Sequence, residues 1–224
     1  MSKEFAWSYS NLKVYEQCPR QYYEVHRLKK HPYKESPATK EGNEVHKAIE
    51  LYVTSGVPFS QQHARYQPVV DAVLAKPGKR KAEMKMALNR KLQPTGYFDK
   101  DVWVRGQADL TLLESDRARV VDWKTGSAKY PDVDQLDLMG LMTMAYYPEV
   151  RQVNSALIFL KADTIVKSKL TSDQVAEKWW SFRERTAKIE ASIHHDVWNP
   201  QQGPLCPWCP CTSCEFHPKH HSSE

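Results

Sequence analysis

Long hydrophobic runs are absent from the sequence, and so is any segment of the kind that directs a chain to export. No apolar stretch approaches the roughly 20 residues that a helix needs to cross a bilayer. The N-terminal MSKEFAWSYS lacks the basic segment, apolar stretch and cleavage site of a secretory signal. We therefore expect a protein that does not enter a membrane and that stays in the reducing cytoplasm, where disulfide bonds are not favoured.

Glycine is scarce, and repeats and nucleotide-binding loops are missing. The 224 residues include only 8 glycines and contain no internal repeat or low-complexity tract. The phosphate loop GxxxxGKS/T is absent, as is any helicase motif, so ATP-driven unwinding would have to come from a partner protein. The length favours one globular domain over residues 1–224.

The net charge of +5 is too small to indicate a polyanionic partner unless the basic residues are concentrated. Two basic clusters do occur, in RLKKHPYK and KPGKRK. Both are predicted to lie in loops, where lysines could meet phosphates or could simply be solvated.

Hydrophobic periodicity predicts a mixed α/β domain with a central sheet flanked by helices. The first helix is expected in SNLKVYEQCPRQYYEV, capped by Ser10 and broken by Pro19 just after Cys18. The second is expected in EGNEVHKAIELYVTSG, where Gly56 ends it.

The centre of the chain is predicted to form an antiparallel meander. Its three strands are expected in KAEMKMALN, DVWVRGQADLTLL and ARVVDWK. A helix from about Asp134 to Tyr147, a strand in NSALIFLKA and a long amphipathic helix complete the fold. The last helix opens at TSDQ, where Thr171 and Gln174 could form a capping box.

Two carboxylates and a lysine are predicted to meet at the end of the meander. Asp109 lies in GQAD, and after twelve residues VVDWK supplies Asp122 and Lys124. Because side chains alternate along a strand, Asp122 and Lys124 share one side while Trp123 turns away. Adjacent carboxylates suit a hard divalent ion such as Mg²⁺ or Mn²⁺, although a DxK triplet is also common as surface decoration.

Two further residues border this predicted site. His46 lies one position off the apolar stripe of its helix, where a packed, hydrogen-bonded histidine is the ordinary expectation. An imidazole beside two carboxylates nevertheless suits Mn²⁺, which accepts nitrogen and oxygen donors together. Glu83 lies on the polar face of the preceding strand. It could be an acidic residue of the site, or equally a solvated glutamate of the surface.

The order of these residues resembles PD-(D/E)XK nucleases of the RecB/AddB-like branch, which includes phage exonucleases and CRISPR-adaptation nucleases. The resemblance implies a restriction-endonuclease-like core. It implies that His46, Asp109 and Asp122 bind the metal together with the backbone carbonyl of Trp123, and that Lys124 is catalytic. Gln135 in DQLDLM matches the first residue of the QxxxY motif of the family, whose tyrosine position is occupied here by Met139.

Cysteines are few but concentrated, since four of the five lie in CPWCPCTSC. The spacing of Cys209 and Cys211 is tight for two ligands of one zinc ion, whereas a 4Fe-4S cube accepts ligands from distant segments. We therefore expect Cys18, Cys206, Cys209 and Cys214 to hold a structural 4Fe-4S cluster, with Cys211 as a spare thiol.

The resemblance supports the same ligand set, because one branch of the family takes its first cluster ligand near the N-terminus and three from a C-terminal group. Residues 1–30 and 200–217 would then form the cluster region and join the two ends of the chain. There are two alternatives to the cluster. One is a zinc site made of the four C-terminal cysteines, in which His217 could replace one thiol, and the other is a set of unligated thiols.

These expectations together predict a metal-dependent DNA nuclease. It would be an exonuclease acting on DNA ends or single strands during recombination, replication or repair, of the kind that phages encode. A recombination or helicase protein is an expected partner. The alternatives are a non-catalytic nucleic-acid-binding subunit that keeps the fold and the cluster, and a zinc-dependent protein-interaction module.

Overall fold

The computed structural model describes residues 5–220. The chain divides into two compact units, each described separately here. The first unit consists of residues 5–6 and Glu35–Trp179, and the second of Trp7–Lys34 and residues 180–220. It stays a prediction that the whole chain folds as one domain, because two compact units can still fold together.

The helices and strands follow the predicted order, with three additional elements: a two-residue first strand, a helix before the sheet and a last strand. In chain order they are β1 (Trp7–Ser8), α1 (Tyr9–Gln17), α2 (Pro19–Tyr22), α3 (Pro37–Ser55), α4 (Gln67–Leu74), β2 (Lys79–Asn89), β3 (Val102–Leu113), β4 (Arg117–Lys124), α5 (Val133–Tyr146), β5 (Gln152–Phe159), β6 (Thr164–Thr171) and α6 (Val175–His195).

The first unit contains a mixed sheet, which confirms the predicted fold class. Strands β2, β3 and β4 pair antiparallel in sequence, as the meander prediction required. Strand β5 then pairs parallel with β4, and β6 pairs antiparallel with β5. Helix α5 makes the connection between the two parallel strands, which the parallel pairing requires.

Helices α3 and α4 pack on this sheet through one apolar core. The core comprises Val45, Ile49, Tyr66, Val70, Leu110, Leu112, Val121, Trp123 and Ile158. Helix α5 is buried around most of its surface, and its Leu136 packs with Leu157 and Phe159 of β5. The sheet is therefore flanked by helices, and α3 and α5 carry side chains to the end of β4.

Several local predictions need correction. Ser8, not Ser10, caps α1, because its hydroxyl accepts from the Asn11 amide. The basic segment KPGKRK is not all loop, since β2 already begins at Lys79. Helix α4 and strand β6 were not predicted. The capping box of Thr171 and Gln174 is confirmed, although a short 3₁₀ turn separates it from α6.

The second unit is formed by both ends of the chain. Within it, the Tyr15 hydroxyl donates to the Lys188 carbonyl at 2.8 Å, and Arg185 pairs with Glu16 at 2.5 Å. The Trp198 ring stacks on Tyr23 with their centroids 4.8 Å apart. These contacts hold the N-terminal helices against the part of α6 that belongs to this unit. In the described part of the chain, every helix is too short or too polar to span a membrane.

Candidate active site

A polar cavity of about 310 Å³ opens where α3 meets β2 and β3. Helix α3 lines it with one face, because four residues recur at intervals of three and four, which places them one above another. The lining residues are Asn43, His46, Lys47 and Glu50 of α3, Glu83 of β2, and Gln107 and Asp109 of β3.

Asp109 connects this cavity to the end of β4. The last residue pair between strands β3 and β4 is Leu110 with Val121, one step before Asp109 and Asp122. The Asp109 carboxylate instead accepts the Trp123 amide at 2.7 Å. Since Trp123 directly follows Asp122, this bond brings the first predicted carboxylate to the chain segment that carries the second.

His46 contacts the same carboxylate oxygen of Asp109, at 3.3 Å from its Nδ1 atom. The hydrogen bond to Asp109 raises the pKa of His46 above its ordinary value, against the opposing effect of burial. The predicted imidazole and the first predicted carboxylate are therefore in direct contact.

Asp122 is buried and is contacted by two other predicted residues. The Gln135 side-chain amide donates to its Oδ1 at 2.8 Å, and the Lys124 ammonium lies 2.6 Å from its Oδ2. Burial raises the pKa of the Asp122 carboxyl, and repulsion from Asp109 adds to the effect, while Lys124 opposes it. A buried carboxylate beside a second negative charge needs a nearby positive charge to stay ionised.

Glu83 also lines this site. Its side chain accepts a hydrogen bond from Gln107, and its φ of 48° lies in the left-handed region, which is unusual within a strand. Burial raises the pKa of Glu83, and the charge of Asp109 raises it further. Of the two alternatives weighed from the sequence, the structure favours an acid beside the cavity over a solvated surface glutamate.

The donor set fits a hard divalent cation. Asp122 Oδ2 is fully buried and makes no well-oriented hydrogen bond within the described residues, although Lys124 is near. Carboxylate oxygens of Asp109 and Asp122 with an imidazole nitrogen of His46 are ligands that Mg²⁺ or Mn²⁺ accepts. A buried carboxylate with a second carboxylate close by is the feature that a bound cation would stabilise.

The structure thus links His46, Asp109, Asp122, Lys124, Gln135 and the backbone of Trp123 through two sets of contacts, one at each aspartate. Within residues 5–220, the ligand atoms of His46, Asp109 and Asp122 do not all lie within 4.8 Å of one another, and the individual roles of these residues stay predictions. Met139 is not with them: it is buried and packs near Gly106. The sequence argument missed Asn43, Glu50 and Gln107. The first two lie three before and four after His46 on α3, so helical spacing alone could have indicated them.

The five cysteines line a second cavity, of about 330 Å³, within the second unit. Two of the sulfurs accept backbone amides: Cys18 from Gln201 at 3.4 Å and Cys206 from Gly203 at 3.3 Å. The buried side chain of His217 also lines this cavity. The first cysteine and the C-terminal group, far apart in sequence, therefore share one space.

The sulfurs do not form a compact four-cysteine zinc site within residues 5–220. Four thiolates around zinc, with Zn–S distances of about 2.3 Å, would bring sulfurs to about 3.8 Å from one another. Within residues 5–220, no three cysteines lie that close, and the one compact group of metal-type ligands is Glu24, His31 and Cys211. Burial raises the pKa of Cys211, which favours its neutral thiol.

The chain is similar to a known family in sequence and to solved structures in fold. The family model described as the PD-(D/E)XK nuclease superfamily matches residues 6–216. A solved structure of a candidate exonuclease from Eubacterium rectale is similar, with a TM-score of 0.54 at 13% identity over 96% of this chain and 86% of that one. The structure of SSO0001 matches with a TM-score of 0.41 at 13% identity, over 96% and 89% of the two chains. No curated protein sequence matches the chain.

Proposed function

Because the chain belongs to the PD-(D/E)XK nuclease superfamily, we propose that it is a divalent-metal-dependent DNA nuclease. Its proposed activity is that of an exonuclease on DNA ends or single strands, serving recombination, replication or repair. The observation that carries the proposal is the contact series at the end of β4. In it His46 and the Trp123 amide meet Asp109, while Lys124 and Gln135 meet Asp122.

His46, Asp109 and Asp122 would hold the cation, with the Trp123 carbonyl as the fourth protein donor expected from the family resemblance. A bound Mg²⁺ or Mn²⁺ supplies Lewis acidity toward a phosphoryl oxygen and lowers the pKa of a coordinated water. The residues of the chain supply positioning. Gln135 fixes the orientation of the Asp122 carboxylate, and Asp109 holds the His46 ring through Nδ1.

Lys124 contributes charge where the reaction needs it. Its ammonium lies 2.6 Å from Asp122 and is about one-third exposed, so it can reach a substrate phosphate without leaving the site. In phosphodiester cleavage, negative charge builds up on the phosphoryl oxygens, and a fixed ammonium stabilises that charge. Lys124 can also orient a water molecule for attack on phosphorus.

The second unit is proposed to hold a structural 4Fe-4S cluster through Cys18, Cys206, Cys209 and Cys214. Support comes from the shared cavity and from the amides directed at two sulfurs. Fe–S clusters are held by cysteine thiolates and are tuned by hydrogen bonds to sulfur. The proposed role is to fix the two chain ends together, without electron transfer in DNA cleavage.

A digestion assay with Mn²⁺ tests the catalytic proposal. End-labelled single-stranded and duplex DNA would be incubated with the parent, Asp122→Ala, Lys124→Ala and the control Glu184→Gln, an exposed residue of the second unit. We expect degradation by the parent and the control only, with a loss of at least about 100-fold in the two site variants. Undiminished cleavage by both variants would exclude this site, and an inert parent that still binds DNA would identify a non-catalytic binding subunit.

A further inference from the structure

The loop that joins β2 to β3 presents an exposed aromatic tip. Phe98 is 83% exposed, one of the most exposed large apolar side chains in the described part of the chain. Its neighbour Tyr97 has the Lys85 ammonium 5.8 Å and the Arg105 guanidinium 5.7 Å from its ring centroid. The two aromatic rings lie edge to face, 5.2 Å apart. Cations and aromatic rings therefore share one surface, which we call the hairpin patch: Lys85, Tyr97, Phe98 and Arg105.

The hairpin patch continues the candidate active site along the same two strands. Lys85 is the cross-strand partner of Gln107, which lines the polar cavity with Asp109. Gly106 faces the methionines of α5, so its neighbours Arg105 and Gln107 point to the opposite side of the sheet. Asp109 and Arg105 are four residues apart along β3, or about 13 Å.

Hydrogen bonds build the loop that holds Phe98 outward. The Asp99 carboxylate accepts the Gly96 amide and the Thr95 hydroxyl, both at 2.8 Å. A Cβ atom at Gly96 would lie 2.7 Å from that carboxylate, so a larger residue at this position would displace the Asp99 side chain. Arg105 donates to the Tyr97 carbonyl at 2.6 Å.

A second set of hydrogen bonds fixes the base of the same loop. The Tyr146 hydroxyl of α5 accepts the Ala87 amide at 2.9 Å and lies 3.3 Å from the Thr95 carbonyl. The exposure of Phe98 is therefore a property of a well-bonded loop. An exposed aromatic ring beside cations is the combination that single-strand-binding surfaces use.

We propose that the hairpin patch binds single-stranded DNA next to the cavity. Lys85 and Arg105 contact backbone phosphates, and an unpaired base stacks on Phe98. Alternating cations and open aromatic faces are how proteins bind single strands without reading sequence. A paired base has both faces covered by its neighbours, so the free ring of Phe98 favours an unpaired one. The inference rests on the proposed function, because it names the strand that this nuclease would hold.

Binding without cleavage tests the hairpin patch separately from catalysis. Fluorescence anisotropy of a labelled oligothymidylate, measured in EDTA, would compare the parent with Phe98→Ala, Phe98→Trp and Lys85→Ala. We expect Phe98→Ala to weaken binding by about 5- to 150-fold and Phe98→Trp to retain it, because tryptophan keeps a stacking face. Lys85→Ala should reduce the slope of log affinity against log salt by about 0.7, the value for one phosphate contact on a single strand.

Matched controls come from exposed residues elsewhere. Trp180→Ala removes an exposed aromatic side chain of the second unit, and Lys167→Ala removes an exposed lysine of β6, at the other end of the β2–β6 strand order. Both should bind as the parent does, and thermal unfolding should show that every variant is folded.

The outcomes separate this inference from the proposed function. If the parent cleaves DNA but Phe98→Ala and Lys85→Ala bind oligothymidylate like the parent, the hairpin patch is wrong and the nuclease assignment stands. If the Phe98→Ala loss appears with blunt duplex and not with single strands, the patch binds paired ends and the inference fails. A parent that neither binds nor cleaves DNA overturns both.

Discussion

At the scale of single residues, the site depends on side chains that replace the ordinary pairing of the backbone. The Asp109 carboxylate accepts a hydrogen bond from the Trp123 amide, one residue beyond the last β3–β4 pair. Glu83 adopts a positive φ in the middle of β2. Both departures from regular sheet geometry occur at residues whose carboxylates line the candidate site. The identities of Asp109, Asp122 and Lys124 could be predicted from their spacing and from the family resemblance. The position of Gln107 beside the cavity could not, because it depends on how α3 crosses the sheet.

A buried carboxylate in the second unit gives a pH-dependent prediction. Glu24 is buried, and it accepts from Arg20 Nε and contacts His31 Nε2, each at 3.0 Å. Burial acts to raise the pKa of Glu24, but the hydrogen bonds from His31 and Arg20 outweigh it and lower the pKa below 4.5. Because the pKa in the folded state is the lower one, this stabilisation is fully present above pH 4.5 and is lost as pH falls through the folded value.

Glu24→Gln should therefore lower stability at neutral pH by about 1–3 kcal/mol and flatten its acid dependence. Urea unfolding from neutral pH down to about pH 3 would measure both effects. Glu184→Gln, at an exposed position of α6, is the control and should retain the steep acid dependence of the parent. Equal slopes for Glu24→Gln and the parent would show that the network around Glu24 contributes nothing to folding.

At the scale of elements, periodicity predicted the segments that have one buried face and failed where that signal is weak. Helix α4 has eight residues and carries adjacent valines at positions 69 and 70, which resemble a strand pattern. Strand β6 pairs only with β5 and exposes Lys167 and Lys169. Strand β2 likewise begins with three exposed basic residues. Lysines on such strands protect a sheet edge from pairing with other chains, but in the sequence they resemble a loop.

The packing of α5 on β3 explains why the tyrosine expected from the QxxxY motif is absent. Met139 is only 3% exposed, and a Cβ atom at Gly106 would lie 2.6 Å from its terminal methyl group. The helix therefore approaches the strand at a glycine, with a thin, flexible side chain between them. Tyr146 instead directs its hydroxyl to the backbone at Ala87.

Met139→Tyr should destabilise the protein by about 1–3 kcal/mol, because the larger ring has no space between α5 and β3. Met139→Leu conserves volume and should cost less than about 1.5 kcal/mol. Urea unfolding of the two variants and the parent would measure the difference. A tyrosine variant as stable as the parent would mean that α5 can move away from Gly106.

At the scale of the whole molecule, the cysteines matter because they lie near both ends of the chain. The second unit is assembled from both ends of the chain, and almost the whole first unit is inserted between them. The sequence predicted this closure from one cysteine near the start and four near the end. It could not give the Glu24, His31 and Cys211 group, because these residues come from separate loops and helices.

A cysteine-to-serine series tests the proposed closure of the chain. Cys18→Ser, Cys206→Ser, Cys209→Ser and Cys214→Ser should each lose iron and sulfide after anaerobic purification. Each should also unfold at a lower temperature, because metal binding in such sites is coupled to folding. Cys211→Ser, the matched control inside the same cavity, should keep the iron and the unfolding temperature of the parent. A colourless parent with one zinc per chain, stable after Cys18→Ser, would instead identify a zinc site confined to the C-terminal cysteines, and the two ends would then be held by protein contacts such as those of Tyr15, Arg185 and Trp198.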